Sequence, residues 1–231
     1  MTKLLRSSLG IALGLLVLAP LAPGIGLEAA GQTLETLDLA TLFEPGNLVV
    51  DENGDGVPDQ LGATILLPPS PSDVELAAAS EIAARLGFET MALDLPLRTE
   101  RRDMDVGILI GSRALAAEGL DADAFRALAT GGAAVATLES RGARWLAVLG
   151  ETDQELMRAA RFLAGALPHT ESLSSPSLAD VAGGVAQWLD ADTTVTDSDY
   201  RVAFHSAVLE SEPESVRLVA TLIHPDAAVL S

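Results

Sequence analysis

No polar side chain interrupts Val106-Gly107-Ile108-Leu109-Ile110. A strand alternates its side chains between two faces, so an unbroken apolar run has no face to give to water. Such a strand belongs inside a sheet covered on both sides, and the flanking sequence supplies the cover. Ser72-Asp73-Val74-Glu75 is a capping box, a Ser followed three residues later by Glu. Behind it Leu76, Ala79, Ala83 and Leu86 recur at helical spacing, with Gly87 as the expected C-cap. Thr152-Asp153-Gln154-Glu155 repeats the signal ahead of Leu156, Ala160, Leu163 and Leu167.

The remaining segments fill in an order. Leu34, Leu37, Leu39 and Leu42 predict one short helix before Pro45-Gly46. Ala63–Leu67 reads as a strand stopped by Pro68-Pro69, and a second strand is expected from Glu89 to Leu95. Residues 112–130 fit one or two short helices joined at Gly119. Ala133–Leu138 and Trp145–Leu149 flank Ser140-Arg141-Gly142 as a hairpin, and Ser175-Pro176 opens a helix carrying Leu178, Val181, Val185, Trp188 and Leu189. Tyr200, Val202 and Phe204 alternate, as do Val216, Leu218, Ala220 and Leu222, around a polar turn from Glu210 to Ser215. That second hairpin is marginal alone, so it extends the sheet or begins something else. The fold class expected is α/β: a mixed sheet with helices packed on it, plus a C-terminal β-hairpin. The expected division is a signal peptide over 1–30, a lead-in over 31–62, an α/β domain over 63–190 and the hairpin extension over 191–231. The chain ends eight residues after Ile223, which suits a shortened member of a larger architecture.

The first thirty residues have the order of a secretory signal peptide: Lys3 and Arg6, the apolar run Leu9 to Leu18, then Ala19-Pro20-Leu21-Ala22-Pro23-Gly24. The alternative, a retained anchor, needs about 20 uninterrupted apolar residues. The expected destination is periplasmic or extracellular, with no stable membrane insertion after cleavage. Removing Lys3, Arg6 and Glu28 with that segment takes the net charge from −19 to −20. A chain this acidic repels nucleic acid, whose recognition depends on clustered Lys and Arg. It contains no Cys, so an exported form has no disulfide framework and must rely on a core or a metal.

One motif carries chemistry. Asp51-Glu52-Asn53-Gly54-Asp55-Gly56-Val57-Pro58-Asp59 places oxygen ligands at every second position. Ca²⁺ takes several hard oxygens at once, and an Asp-x-Asn-x-Asp-Gly turn curls them around one point. Asp51, Asn53 and Asp55 offer side-chain oxygens, Val57 its carbonyl, and Asp59 a carboxylate directly or through water. The twelfth position of an EF-hand loop, a bidentate Glu, falls here on Gly62, and a strand replaces the following helix. The loop resembles instead the repeats of thrombospondin type 3 and related bacterial extracellular proteins. The competing reading is a solvent-facing Asn-Gly/Asp-Gly turn with no ion.

Catalytic machinery is not visible. His169, His205 and His224 have no metal-ligand spacing, and neither His-Glu-x-x-His nor a Gly-x-Ser-x-Gly elbow occurs. Gly107 to Gly111 lacks the further glycines of a dinucleotide loop, which leaves close packing as their use. Asp197/Asp199 and Glu210/Glu212/Glu214 are paired carboxylates of the kind glycosidases use, but they sit in turns of a very acidic chain. With eight aromatic residues a broad sugar-stacking platform is not expected.

Ala78–Gly87, Val106–Gly111 and Ala134–Ala166, the last with Gly150-Glu151-Thr152 leading into Ala159-Ala160-Arg161-Phe162-Leu163, carry a resemblance. The stretch from Ala63 to Leu167 resembles the small α/β accessory domain preceding the catalytic barrel of chitobiase-type β-hexosaminidases and α-glucuronidases. It is similar too to a domain of the periplasmic regulatory subunit of bacterial cellulose synthase. The resemblance implies a non-catalytic domain, since the barrel holding the glycosidase carboxylates is missing. The expected function is an exported calcium-binding accessory module with a glycan or an envelope or secreted protein as partner. The alternative is the leading fragment of a secreted hydrolase, glycosidase or peptidase.

Overall fold

The computed structural model describes residues 37–90, 97–98, 106–130, 132–140, 142–165, 178–192, 201–210 and 215–223. Its main sheet is built from β3 (Ala63–Leu66), β4 (Leu97–Arg98), β5 (Val106–Ile110), β6 (Gly132–Ser140), β7 (Ala143–Gly150), β8 (Arg201–Glu210) and β9 (Ser215–Ile223). The strand order is β4-β3-β5-β7-β6-β8-β9. β4, β3, β5 and β7 run parallel, and β6, β8 and β9 join through antiparallel pairings. This is the expected mixed α/β sheet, and the C-terminal hairpin extends it.

The apolar run in β5 explains the layering. Ile108 and Ile110 enter one hydrophobic cluster and Leu109 the other, so both faces of the strand are covered. On the first face lie α1 (Asp73–Thr90) and α4 (Asp153–Ala164), joined by α5 (Leu178–Asp192). On the second lie α2 (Gly111–Ala117) and α3 (Ala122–Leu128), with Leu115 buried against Leu66, Leu109 and Trp145. Both capping boxes form. The Ser72 amide donates to Glu75 Oε2 at 2.7 Å while the Glu75 amide donates to Ser72 Oγ at 3.3 Å. Thr152 and Glu155 exchange the same two bonds at 2.9 and 3.3 Å. Among the described residues no helix is long and apolar enough to cross a membrane.

Three expectations shift. α1 does not stop at Gly87: it continues to Thr90, whose hydroxyl donates to the Leu86 carbonyl at 3.0 Å. Glu89 and Thr90 are therefore helical rather than the start of a strand, and residues 91–95 lie outside the described residues. Residues 37–42 form turns in place of a helix, because Asp38 takes the Ala40 amide on its side chain and the Thr41 amide on its carbonyl, while Leu39 bonds outside the segment. The Leu39 amide donates to the Phe204 carbonyl and the Phe204 amide to Asp38 Oδ1, both at 2.9 Å, which ties this segment to β8.

The lead-in is part of the core. Leu37, Leu39, Leu42, Leu48 and Val49 are all buried in the cluster shared with α1 and α4. At about 1.5–3 kcal/mol for each fully buried aliphatic side chain, this segment contributes a substantial share of the apolar stabilisation. It leads into β1 (Val49–Val50), which pairs antiparallel with β2 (Gln60–Leu61). Gly62 joins that ribbon to β3, donating its amide to the Leu48 carbonyl and accepting from the Val106 amide.

Candidate calcium loop

Asp51–Asp59 is the loop at the tip of the β1–β2 ribbon, and the ribbon fixes both its ends: the Asp59 amide donates to the Val50 carbonyl at 2.8 Å. Within it, Asp51, Asn53, Asp55 and Asp59 each accept a bond from a backbone amide. Asp51 accepts from Gly54 at Oδ1 and from Gly56 at Oδ2, both at 2.7 Å. Asn53 Oδ1 accepts from Asp55 and Asp55 Oδ1 from Val57, each at 2.8 Å. Asp59 Oδ2 accepts from Glu52 at 3.0 Å, and its Oδ1 takes the Asn53 side-chain amide at 3.4 Å. Gly54 and Gly56 have φ of +76° and +86°, conformations open to glycine, which lets the backbone curl around the acids.

The electrostatics follow from those bonds. The Gly56 amide is the largest influence on Asp51; a smaller desolvation effect opposes it, the Gly54 amide adds to it, and the carboxyl is held below the usual range. Asp51 is thus ionised and aimed by the backbone. The structure brings Asp51, Asn53, Asp55 and Asp59 into one exposed loop. Among the described residues, however, no three His, Asp or Glu side chains converge as a metal-holding group. Val57 contributes its amide to Asp55, and its side chain is exposed. The donor set fits a hard cation: every candidate donor is oxygen, and each oxygen holding one amide retains a lone pair for a second partner.

The sheet has a topological switch at β3. From β3 the chain passes to β4 on one side, and then to β5 on the other. In open α/β sheets the crevice beyond the C-terminal ends of two such strands receives ligands. Here it receives Arg113. Its Nε donates to Glu75 Oε1 at 3.2 Å and its Nη2 to the Ser70 carbonyl at 3.1 Å and to Glu75 Oε2. Glu75 is buried, and burial is the largest influence on it, opposing ionisation. The Arg113 hydrogen bonds, the Ser72 amide and the Arg113 charge outweigh that and lower its pKa. Gly111, at φ +77°, would place a Cβ 3.2 Å from Glu75 Oε1, so the glycine after β5 serves close packing. Sequence reasoning missed this ion pair. Glu75 was visible as a cap, but nothing in the spacing linked it to Arg113, thirty-eight residues on.

Beside it, a cavity of about 260 Å³ is lined by Ser112, Arg126, Ala129, Leu149, Gly150 and Glu151. Arg126 is engaged by Asp123 at 2.5 Å, and the α4 N-terminus behind Gly150 is closed by its capping box. Of the histidines, His205 is described: Nε2 lies 2.8 Å from Thr221 Oγ1, and burial lowers its pKa against the opposing pull of Asp38. His169, His224, Asp197, Asp199, Glu212 and Glu214 lie outside the described residues. Glu210 pairs with Arg217 at 3.3 Å. Neither family models nor curated proteins match the chain.

Proposed function

We propose that the protein is an exported, non-catalytic accessory module that binds Ca²⁺ at Asp51, Asn53, Asp55, Val57 and Asp59 and engages a glycan or an envelope or secreted protein. The observation that carries the reading is the loop itself. Four oxygen-bearing side chains are oriented by backbone amides on a ribbon anchored in the core. Calcium would add the second partner that each oxygen retains, with water supplying the remainder of its six to eight ligands. Export rests on the charged, apolar and small-residue order of residues 1–30, and the accessory role on the likeness to the domains that precede glycosidase barrels.

The test is calorimetric titration of chelator-treated protein with Ca²⁺, beside Asp51→Ala/Asp55→Ala. Extracellular modules bind with Kd on the order of 10⁻⁴–10⁻³ M. About 10 mM Ca²⁺ then raises the folded-to-unfolded ratio roughly 10- to 100-fold, enough to lift Tm by a few degrees. Binding that the double variant loses supports the proposal. No heat of binding up to millimolar Ca²⁺ sinks it and leaves the loop a polar turn.

A further inference from the structure

β9 is the outermost strand of the sheet and runs nine residues, about 30 Å at the usual rise, whereas β4 at the opposite edge has two. An open edge presents a row of N–H and C=O groups, which proteins ordinarily blunt with Lys, Pro, bulges or brevity. β9 has no Lys, no Pro and no acid. Its single charge, Arg217, is turned to Glu210 on β8. The bulge between Phe204 and Ser206 belongs to β8, so β9 stays continuous. Val216 and Val219, on opposite faces by their spacing, are 44% and 47% exposed. Among the described residues no further strand pairs with the outer edge of β9.

We infer that a second copy of this chain pairs antiparallel along β9, with Val219 facing Val219 across a two-fold axis. The geometry selects that register. A two-fold perpendicular to a sheet must set one residue opposite itself, because opposed residues share a face. Val219 is the midpoint of Ser215–Ile223, so only this centre overlaps the whole strand. Leu218 then faces Ala220, and Arg217 faces Thr221, so no like charges meet. The charge distribution selects a second copy. On a chain of net charge −19, this acid-free edge lets two copies approach without opposing carboxylates, and the same nine residues supply both complementary sides. One shared strand edge is a small interface, so the dimer is weak and concentration-dependent. Screening the mutual repulsion with salt strengthens it.

Because the chain has no Cys, Val219→Cys introduces its only thiol. In the pairing the two Cα atoms stand about 4.5–5.5 Å apart, within disulfide reach. Mild oxidation of the full chain should give a covalent dimer. Val216→Cys should not, since its counterpart lies six positions along the strand, about 20 Å away. Sedimentation of the unmodified chain should show mass rising with protein concentration and with salt. Val219→Lys, which sets two ammonium groups face to face at an exposed position, should weaken association at least tenfold with unchanged circular dichroism. A chain that stays monomeric through high micromolar concentration overturns the inference, as does cross-linking of both cysteine variants equally or of Val216→Cys alone.

Discussion

Replacing Gly150 with alanine isolates a steric demand from a conformational one. Gly150 ends β7 just before the α4 N-cap, and its φ is not positive, so alanine is allowed by the backbone. What forbids it is proximity. A Cβ there would stand 2.1 Å from the Leu156 amide nitrogen and 2.6 Å from the Glu155 carbonyl carbon. Both are backbone atoms of the first turn of α4, so no side chain can swing aside. The helix start must retreat by about 1 Å to restore van der Waals contact. That movement pulls Thr152 and Glu155 out of their reciprocal bonds, a capping loss of about 1 kcal/mol. It also lifts Leu156, Ala159 and Ala160 from the core, an overpacking strain of about 1–3 kcal/mol. Restricting the unfolded chain returns about 0.4–1 kcal/mol. The net expectation is a loss of about 2–3 kcal/mol, or roughly 5–10 °C in Tm for a domain of this length. Urea unfolding followed by far-UV circular dichroism, with the slope m unchanged, measures it. A variant within about 0.5 kcal/mol of the parent would show that the first turn of α4 does not press on the end of β7.

Leu48→Ala, at a fully buried position of the lead-in, should cost about 3 kcal/mol in the same assay; under 1 kcal/mol would show that the lead-in is not part of the core. Glu75 predicts a pH dependence whose sign follows from its lowered pKa. The ionised group contributes fully above the ordinary carboxylate value, and that contribution disappears as pH falls through the lower folded value. Glu75→Gln should therefore be less stable near neutrality and flatten the acid limb of stability against pH. An unchanged acid limb refutes the Arg113 pairing.

The sheet was legible because burial leaves a mark in sequence. Val106–Ile110 had to be covered on both faces, and Ile108 and Leu109 do face opposite clusters. Ser72–Glu75 and Thr152–Glu155 announced their helices because a capping box is local chemistry between residues three apart. The turns of residues 37–42 were not legible. Their leucine spacing suits a helix, but the Leu39 amide is taken by Phe204 of β8 more than 160 residues later, and Asp38 draws the Ala40 and Thr41 amides into a turn. Gly87 misled for a related reason: a glycine permits a C-cap without requiring one, and α1 keeps its helical bonds through Thr90. In the candidate site the oxygen-bearing residues were readable from the spacing, while the amides that aim their side chains were a matter of three-dimensional path.

The position of the loop decides what a cation there would do. Asp51–Asp59 closes the ribbon whose first strand ends the lead-in and whose second passes through Gly62 into β3. The lead-in is held by buried leucines and by the bonds between Asp38, Leu39 and Phe204, so the ribbon connects the β8 side of the sheet to its parallel half. A Cβ on Gly62 would come within 3.0 Å of both the Asn47 carbonyl oxygen and Val50 Cγ2, which leaves little slack at that junction. Closing the loop around calcium would therefore limit fraying of a segment that reaches both halves of the sheet, and the effect would read out globally in Tm. At the crevice where an α/β sheet ordinarily takes a ligand sits the Glu75–Arg113 pair. Under the proposed accessory role, recognition of a partner would then fall to the outer surfaces of the fold.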